Sequence, residues 1–351
     1  MTENIFDYKF DLDKEDALLT RAIGAARDYM SIVQLNVGPS EIPGAPNKIG
    51  IDKILHGARI GPDIRPGILN LAIDTYQNPK NISKSSSHFP TNMERNGKKV
   101  CLVVMKNDPL VKDFGNEYAE VMRLWIFLHE IGHARCGLEG KDQITREIAA
   151  DSYSVLFLLD RFGPQALPII SQISWLRSLY AVNGSTSHLT SFALDKIAVD
   201  YKAGKLSHLD EGRIIALSQS YARDWTPQQQ ALTDVENKFS AIKKSIPAGK
   251  GRMEKVLTQT FLSSPNALGN YVVAKVLVPL VQPGATYKGK TIDLPEANKF
   301  RTTIREQYSK TGLSAHFDAK AAHVDAPTML KMLQTNRFKG KPLRFNPAGL
   351  S

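Results

Sequence analysis

His129 and His133 stand four residues apart, with Glu130 beside the first of them, in the segment WIFLHEIGHARC. On an α-helix that spacing puts both imidazoles on one face, where two ring nitrogens can converge on one ion. H-E-x-x-H on a helix is the arrangement in which two His hold zinc and the Glu serves as general base to a water on the metal. The flanking residues are apolar, and burying two imidazoles and a carboxylate among them without partners would cost roughly several kcal/mol. A cation supplies the missing partner. The competing expectation is a pair of core histidines satisfied by hydrogen bonds, with Glu130 reaching water.

A catalytic zinc needs a third protein ligand and an open position. Glu147 is the expected third ligand: it lies 14 residues after His133, beyond a glycine turn, on a second helix that can fold back and present its carboxylate. Asp151, one helical turn further on the same face, is placed to accept a ring N–H from a zinc-bound His. Glu139 is the rival third ligand, standing where H-E-x-x-H-x-x-G-x-x-H would have its last His, although Cys136 replaces the Gly of that pattern. A purely structural zinc would want four ligands rich in Cys, and Cys136 is the only nearby thiol. For the donor that steadies an oxyanion, His188 in STSHLTSFAL is the first choice, with Tyr180 and Tyr201 behind it. His56, His88, His208, His316 and His323 sit in no metal-ligand spacing.

HEIGH followed by REIAADSYSVLFLLDRFG resembles the gluzincin metallopeptidases, the ImmA/IrrE-type regulatory proteases among them, whose second helix carries Glu and, four residues on, Asp or Asn. The resemblance covers residues 99 to 162 or so. It implies that His129, His133 and Glu147 bind one Zn2+ per chain, that Glu130 is the catalytic base and that Asp151 supports a ligand from behind. It also implies that the strand before the helix, KKVCLVVMK, is a sheet edge able to pair with extended substrate. The activity it implies is endopeptidase cleavage of a specific protein target.

These side chains need elements to hold them. Apolar residues recur at helical spacing from about Asp113 to Arg135, Gly137 and Gly140 close that helix, and a second runs from about Gln143 to Phe162. Pro164 can open a third helix carrying Trp175 and Tyr180. HLTSFALDKIAVDYKAG, LDEGRIIALSQSYARDW and TPQQQALTDVENKFSAIKK read as three more. Upstream, Asp11 or Asp13 caps a helix through about Met30, SIVQLNVG and KKVCLVVMK read as strands, and GILNLAIDT is a further strand candidate. GPSEIPGAPNKIG and NPKNISKSSSHFPTN read as loops. Beyond IPAGKG the pattern predicts more helices, including NALGNYVVAKVLVPLV. The expected class is therefore α+β: a zincin-like domain over residues 1–240, with a small mixed sheet, an active-site helix and a Glu-bearing helix, then a basic, mainly helical region over 241–351.

A chain of 351 residues that is 42% hydrophobic and 23% charged is neither disordered, collagenous nor a coiled coil. Residues 241–351 hold 18 Lys and Arg against 6 Asp and Glu, leaving 27 bases against 29 acids in the rest, so the net +10 resides in the last third. Such an excess suits an acidic partner. No nucleic-acid motif accompanies it, so nucleic acid is not the expected partner. Neither a membrane span nor a signal-peptide layout is evident. Two Cys, not paired as C-x-x-C, fit a reducing cytosol, with signal-independent export into a host cell as the second setting. The expected partner is a protein or peptide substrate, cut by a regulatory protease or an exported effector. The alternative is an inactive zincin-fold binding protein that engages an acidic partner or nucleic acid through residues 241–351.

Overall fold

The computed structural model describes residues 3–38, 48–58, 60–77, 86–106, 119–181 and 185–245, with short pieces at 271–272, 275–276, 286–287 and 290–291. Its helices and its small mixed sheet make an α+β architecture. Helix α1 (Leu12–Ile23) is capped by Asp11, whose side chain accepts from the backbone N–H of Asp13 and Lys14. It stops short of Met30 because Gly24 adopts φ 54°, and a 3-10 segment, Gly24–Tyr29, leads to the sheet.

Strands β1 (Met30–Gly38), β2 (Lys48–Leu55), β3 (Ser86–Arg95) and β4 (Lys98–Lys106) form one sheet in the order β2-β1-β4-β3. β1 runs parallel to β4, with Ile32 opposite Val103, and the two outer pairings are antiparallel. Two expectations are corrected here. KKVCLVVMK is an inner strand, not an edge; the edges are β2 and β3. The cause is that β4 buries both faces: Val100, Leu102 and Val104 enter one core cluster, Val103 and Met105 the other. A strand covered on both sides reads as a continuous apolar run. The second correction concerns its neighbour. SKSSSHFPTN, expected as loop, is strand from Ser86 on, ordered by its ladder with β4.

GILNLAIDT is also corrected, from strand to helix: α2 (Arg65–Gln77) covers the sheet face of β1 and β4 with Ile68, Ala72 and Tyr76, all fully buried at four-residue spacing. That period is helical, whereas alternation would have exposed every second residue. On the other face lie the helices that carry the candidate ligands. Helix α3 (Ala119–Cys136) is buried for most of its length, from Val121 to Gly132 with few breaks. Gly137 and Gly140, at φ 59° and 84°, turn the chain into α4 (Gln143–Phe162), where Asp142 Oδ1 accepts from Thr145 N at 2.8 Å. The part of the first expected helix before Ala119 lies outside the described residues.

After a 3-10 turn opened by Gly163 and Pro164 come α5 (Leu167–Tyr180), α6 (Ser191–Lys202), α7 (Glu211–Trp225) and α8 (Gln229–Ser245), as the periodicity predicts. Residues 271–272 and 275–276 are helical, and Tyr271, Val272 and Val276 are buried in the same core as α3 to α6. The rest of the expected helices past 245, and the basic closing segment, lie outside the described residues. Among the described residues no helix is long and apolar enough to cross a membrane.

Candidate metal centre

The helices that carry the candidate ligands touch backbone to backbone. A Cβ added at Gly132 would stand 2.9 Å from both Cα and O of Ala150 and 3.1 Å from Cβ of Tyr153. Only glycine lets α3 and α4 approach so closely. His129 and His133, one turn apart on α3, are thereby set opposite Glu147 and Asp151, one turn apart on α4.

Their polar atoms converge. His129 Nε2 lies 3.1 Å from His133 Nε2, and Glu147 places Oε2 3.4 Å from the first and Oε1 3.7 Å from the second. One ligand atom from each of the three residues lies within 4.8 Å of the others, so this buried group could hold a metal ion. One further feature fits a cation there: Glu147 Oε2 is buried without a hydrogen bond. Without an ion, the two facing imidazole nitrogens pair through a single N–H. The donor set of two imidazoles and a carboxylate, with no thiol among them, suits zinc or a similar divalent ion.

The ring of His129 is oriented from behind. Its Nδ1 lies 2.8 Å from Asp151 Oδ1, so an N–H there points to the carboxylate, and Nε2 faces the ligand cluster, where its lone pair is available once a metal ion displaces the second proton. Asp151 is fully buried and held on every side. Arg177 Nη2 donates to Oδ1 at 2.8 Å, Arg177 Nε lies 2.7 Å from Oδ2 as an ion-pair contact outside hydrogen-bond alignment, and Thr190 Oγ1 donates to Oδ2 at 2.5 Å.

Burial alone would raise the Asp151 pKa, but Arg177 and then His129 hold it well below the usual carboxylate range. Burial opposes the charge on His129, yet Asp151 and Glu147 hold its pKa up at about 10. Glu147, pushed up by burial, is held at about 2, chiefly by His129. The two carboxylates thus demand a positive charge between them, which a proton or a metal ion can supply.

Glu130 is buried on α3 next to His129. His188, which the sequence offers as oxyanion donor, is brought to the site: its Nε2 lies 3.5 Å from Glu147 Oε1, and burial lowers its pKa. It stacks on Tyr180, with ring centroids 5.3 Å apart, and its side chain stays 30% exposed, open to an approaching group. Of the other candidates, Glu139 is exposed in the turn after α3 and stands outside the ligand group, and Cys136 is buried with Sγ on Ala149 O. Tyr201 is half-buried near the end of α6. His56, one of the histidines outside any ligand spacing, pairs through Nδ1 with Ser31 Oγ at 2.8 Å.

Sequence reasoning missed Arg177 and Thr190. The guanidinium of Arg177 is buried, with the rings of Trp125 and Tyr180 4.9 and 5.6 Å from it, so an indole, a guanidinium, a phenol and the His188 imidazole form a continuous wall. The one available signal was a base inside the apolar run LPIISQISWLRSLY. Comparison with family models, curated proteins and solved structures finds no match to this chain.

Proposed function

We propose that this chain is a zinc-dependent endopeptidase with a zincin-like site, acting on a specific protein target. His129, His133 and Glu147 would hold one Zn2+, and Glu130 would be the general base. The observation that carries the reading is the convergence of two imidazole Nε2 atoms, of buried His129 and half-buried His133, and one carboxylate without a hydrogen bond at Oε2, with Asp151 orienting the ring of His129. When bound, zinc supplies Lewis acidity, which brings water toward a pKa of about 7 and polarises a carbonyl.

The chain's own residues do the rest. The Glu130 carboxylate takes a proton from the attacking water and delivers it to the leaving amine nitrogen. Nε2 of His188, beside Glu147 and partly exposed, donates to the oxygen that gains charge as water adds to the peptide carbonyl. Asp151 and Arg177 exclude water behind His129 and keep its ring oriented. A basic last third fits a target with an acidic docking surface, and an effector role or a regulatory protease both suit such a narrow specificity.

The test is Glu130→Gln in the full chain. The variant should keep its zinc and lose cleavage of whichever protein the wild type cuts. Full activity in the variant would overturn the assignment.

A further inference from the structure

A relay of buried polar groups ties a residue far along the chain to the back of the ligand cluster. Lys275 and Asp195 are each only 1% exposed, and the Lys275 ammonium forms an ion pair with Asp195 Oδ2. It also donates to Ser174 Oγ at 2.5 Å and to Tyr271 OH at 3.2 Å. Ser174 in turn faces two acceptors, Asp195 Oδ1 at 2.7 Å and the backbone O of Ser191 at 2.9 Å.

The position of this knot matters. Ser174 lies on α5 one turn before Arg177, and Ser191 is the first residue of α6, directly after Thr190. Arg177 and Thr190 are the two residues that grip Asp151, which orients His129. Ile170, Ile173, Leu194 and Ala198, buried on α5 and α6 in the same core, offer no polar side-chain atom. Removing the ammonium would take its ion-pair partner from a carboxylate buried at that junction.

We infer that Lys275 is a positioning residue for the metal centre: docking of Tyr271 and Lys275 against α5 and α6 sets Arg177 and Thr190 on Asp151, and through them the ring of His129. The functional consequence rests on the zinc reading above; the docking itself does not. Residues 271–272 and 275–276 then belong to the working unit of the site, which exists in full only when they are docked.

The experiment uses the full chain, wild type beside Lys275→Met, with Ser174→Ala as the milder break in the same relay. Arg161→Met serves as control, because it removes the Glu3 and Glu15 bridges at the N-terminal arm and leaves the relay intact. Two quantities are read well below the unfolding temperature: zinc affinity by competition with a chelator, and, before zinc is added, hydrogen exchange at the amides of Ala193 and Leu194, which donate to Thr190 O. Lys275→Met should bind zinc about 10- to 100-fold more weakly, the range for loss of support behind a ligand. Its two amides should exchange faster, and Ser174→Ala should shift both quantities the same way by less. Arg161→Met should change neither at equal or greater loss of stability. Wild-type zinc affinity in a folded Lys275→Met, or in Ser174→Ala should the first fail to fold, overturns the inference. If the wild type itself takes no zinc, the proposed function fails, and the amides alone decide: faster exchange upholds Lys275 as the organiser of the junction, unchanged exchange overturns it.

Discussion

Gly132→Ala is the smallest change that should separate the ligands without touching one. The new methyl would meet Ala150 Cα and O at 2.9 Å, whereas relaxed carbon contacts lie at about 3.5–4.0 Å, so α3 and α4 must part by about 0.6 Å or more. Backbone cannot step aside as a flexible side chain could. Overpacking of this kind costs about 1–3 kcal/mol. Alanine returns about 1 kcal/mol through helix propensity. The net loss is therefore about 0–2 kcal/mol, and at about 2–4 °C per kcal/mol the melting temperature falls only modestly.

The metal centre should suffer more. Ligand distances in a working site hold to within about 0.2 Å, and here His129 and His133 ride on one helix while Glu147 rides on the other. We expect zinc affinity to fall at least tenfold. The assay is thermal or denaturant unfolding with and without a fixed excess of zinc, because each tenfold loss of affinity removes about 1.4 kcal/mol of zinc-induced stabilisation. A folded Gly132→Ala that gains as much from zinc as the wild type would refute the reasoning that this crossing sets the site.

Asp151→Asn should destabilise the fold by about 3–5 kcal/mol, since it strands the buried Arg177 charge, and weaken zinc binding about 10- to 100-fold; denaturant midpoints and chelator competition read the two effects. His188→Gln should retain zinc with little change in KM and lose about 10²- to 10³-fold in kcat if its Nε2 serves the oxyanion; loss of zinc instead would make His188 a ligand. Burial pushes the Asp200 carboxyl up, but Lys196, Tyr221 and Lys205 more than offset this and leave its pKa depressed. A depressed carboxylate contributes stability above its unfolded pKa of about 3.9 and loses it as pH falls through the folded value. The stability difference between wild type and Asp200→Asn should therefore be constant near neutral pH and shrink below about pH 4.

The candidate ligand set was legible because it is local. His129 and His133 declare a shared helix face by spacing alone, and Gly137 and Gly140, both at positive φ, mark the turn between α3 and α4. The failures were non-local. Strand β3 is polar in its own right and takes its form from the ladder with β4, which no window of its sequence contains. The parallel pairing of β1 with β4 joins residues about 70 apart, so which strand is inner and which is edge could not be read from either run. Helix α2 was misread because ILNLAI is a short apolar run that either element can contain, while the buried set, Ile68, Ala72 and Tyr76, extends past it. Arg177 and Lys275 each sit as a single base in an apolar run, and their meaning depends on Asp151 and Asp195, 26 and 80 residues away.

Metal content per chain, measured on the purified wild type beside His133→Ala after reconstitution with zinc at neutral pH, tests the central claim most directly. The account predicts about one zinc per wild-type chain and its loss in the variant. No metal in the wild type, or equal metal in both, would contradict it and leave His129 and His133 as core histidines with Asp151 and Glu147 among their polar partners.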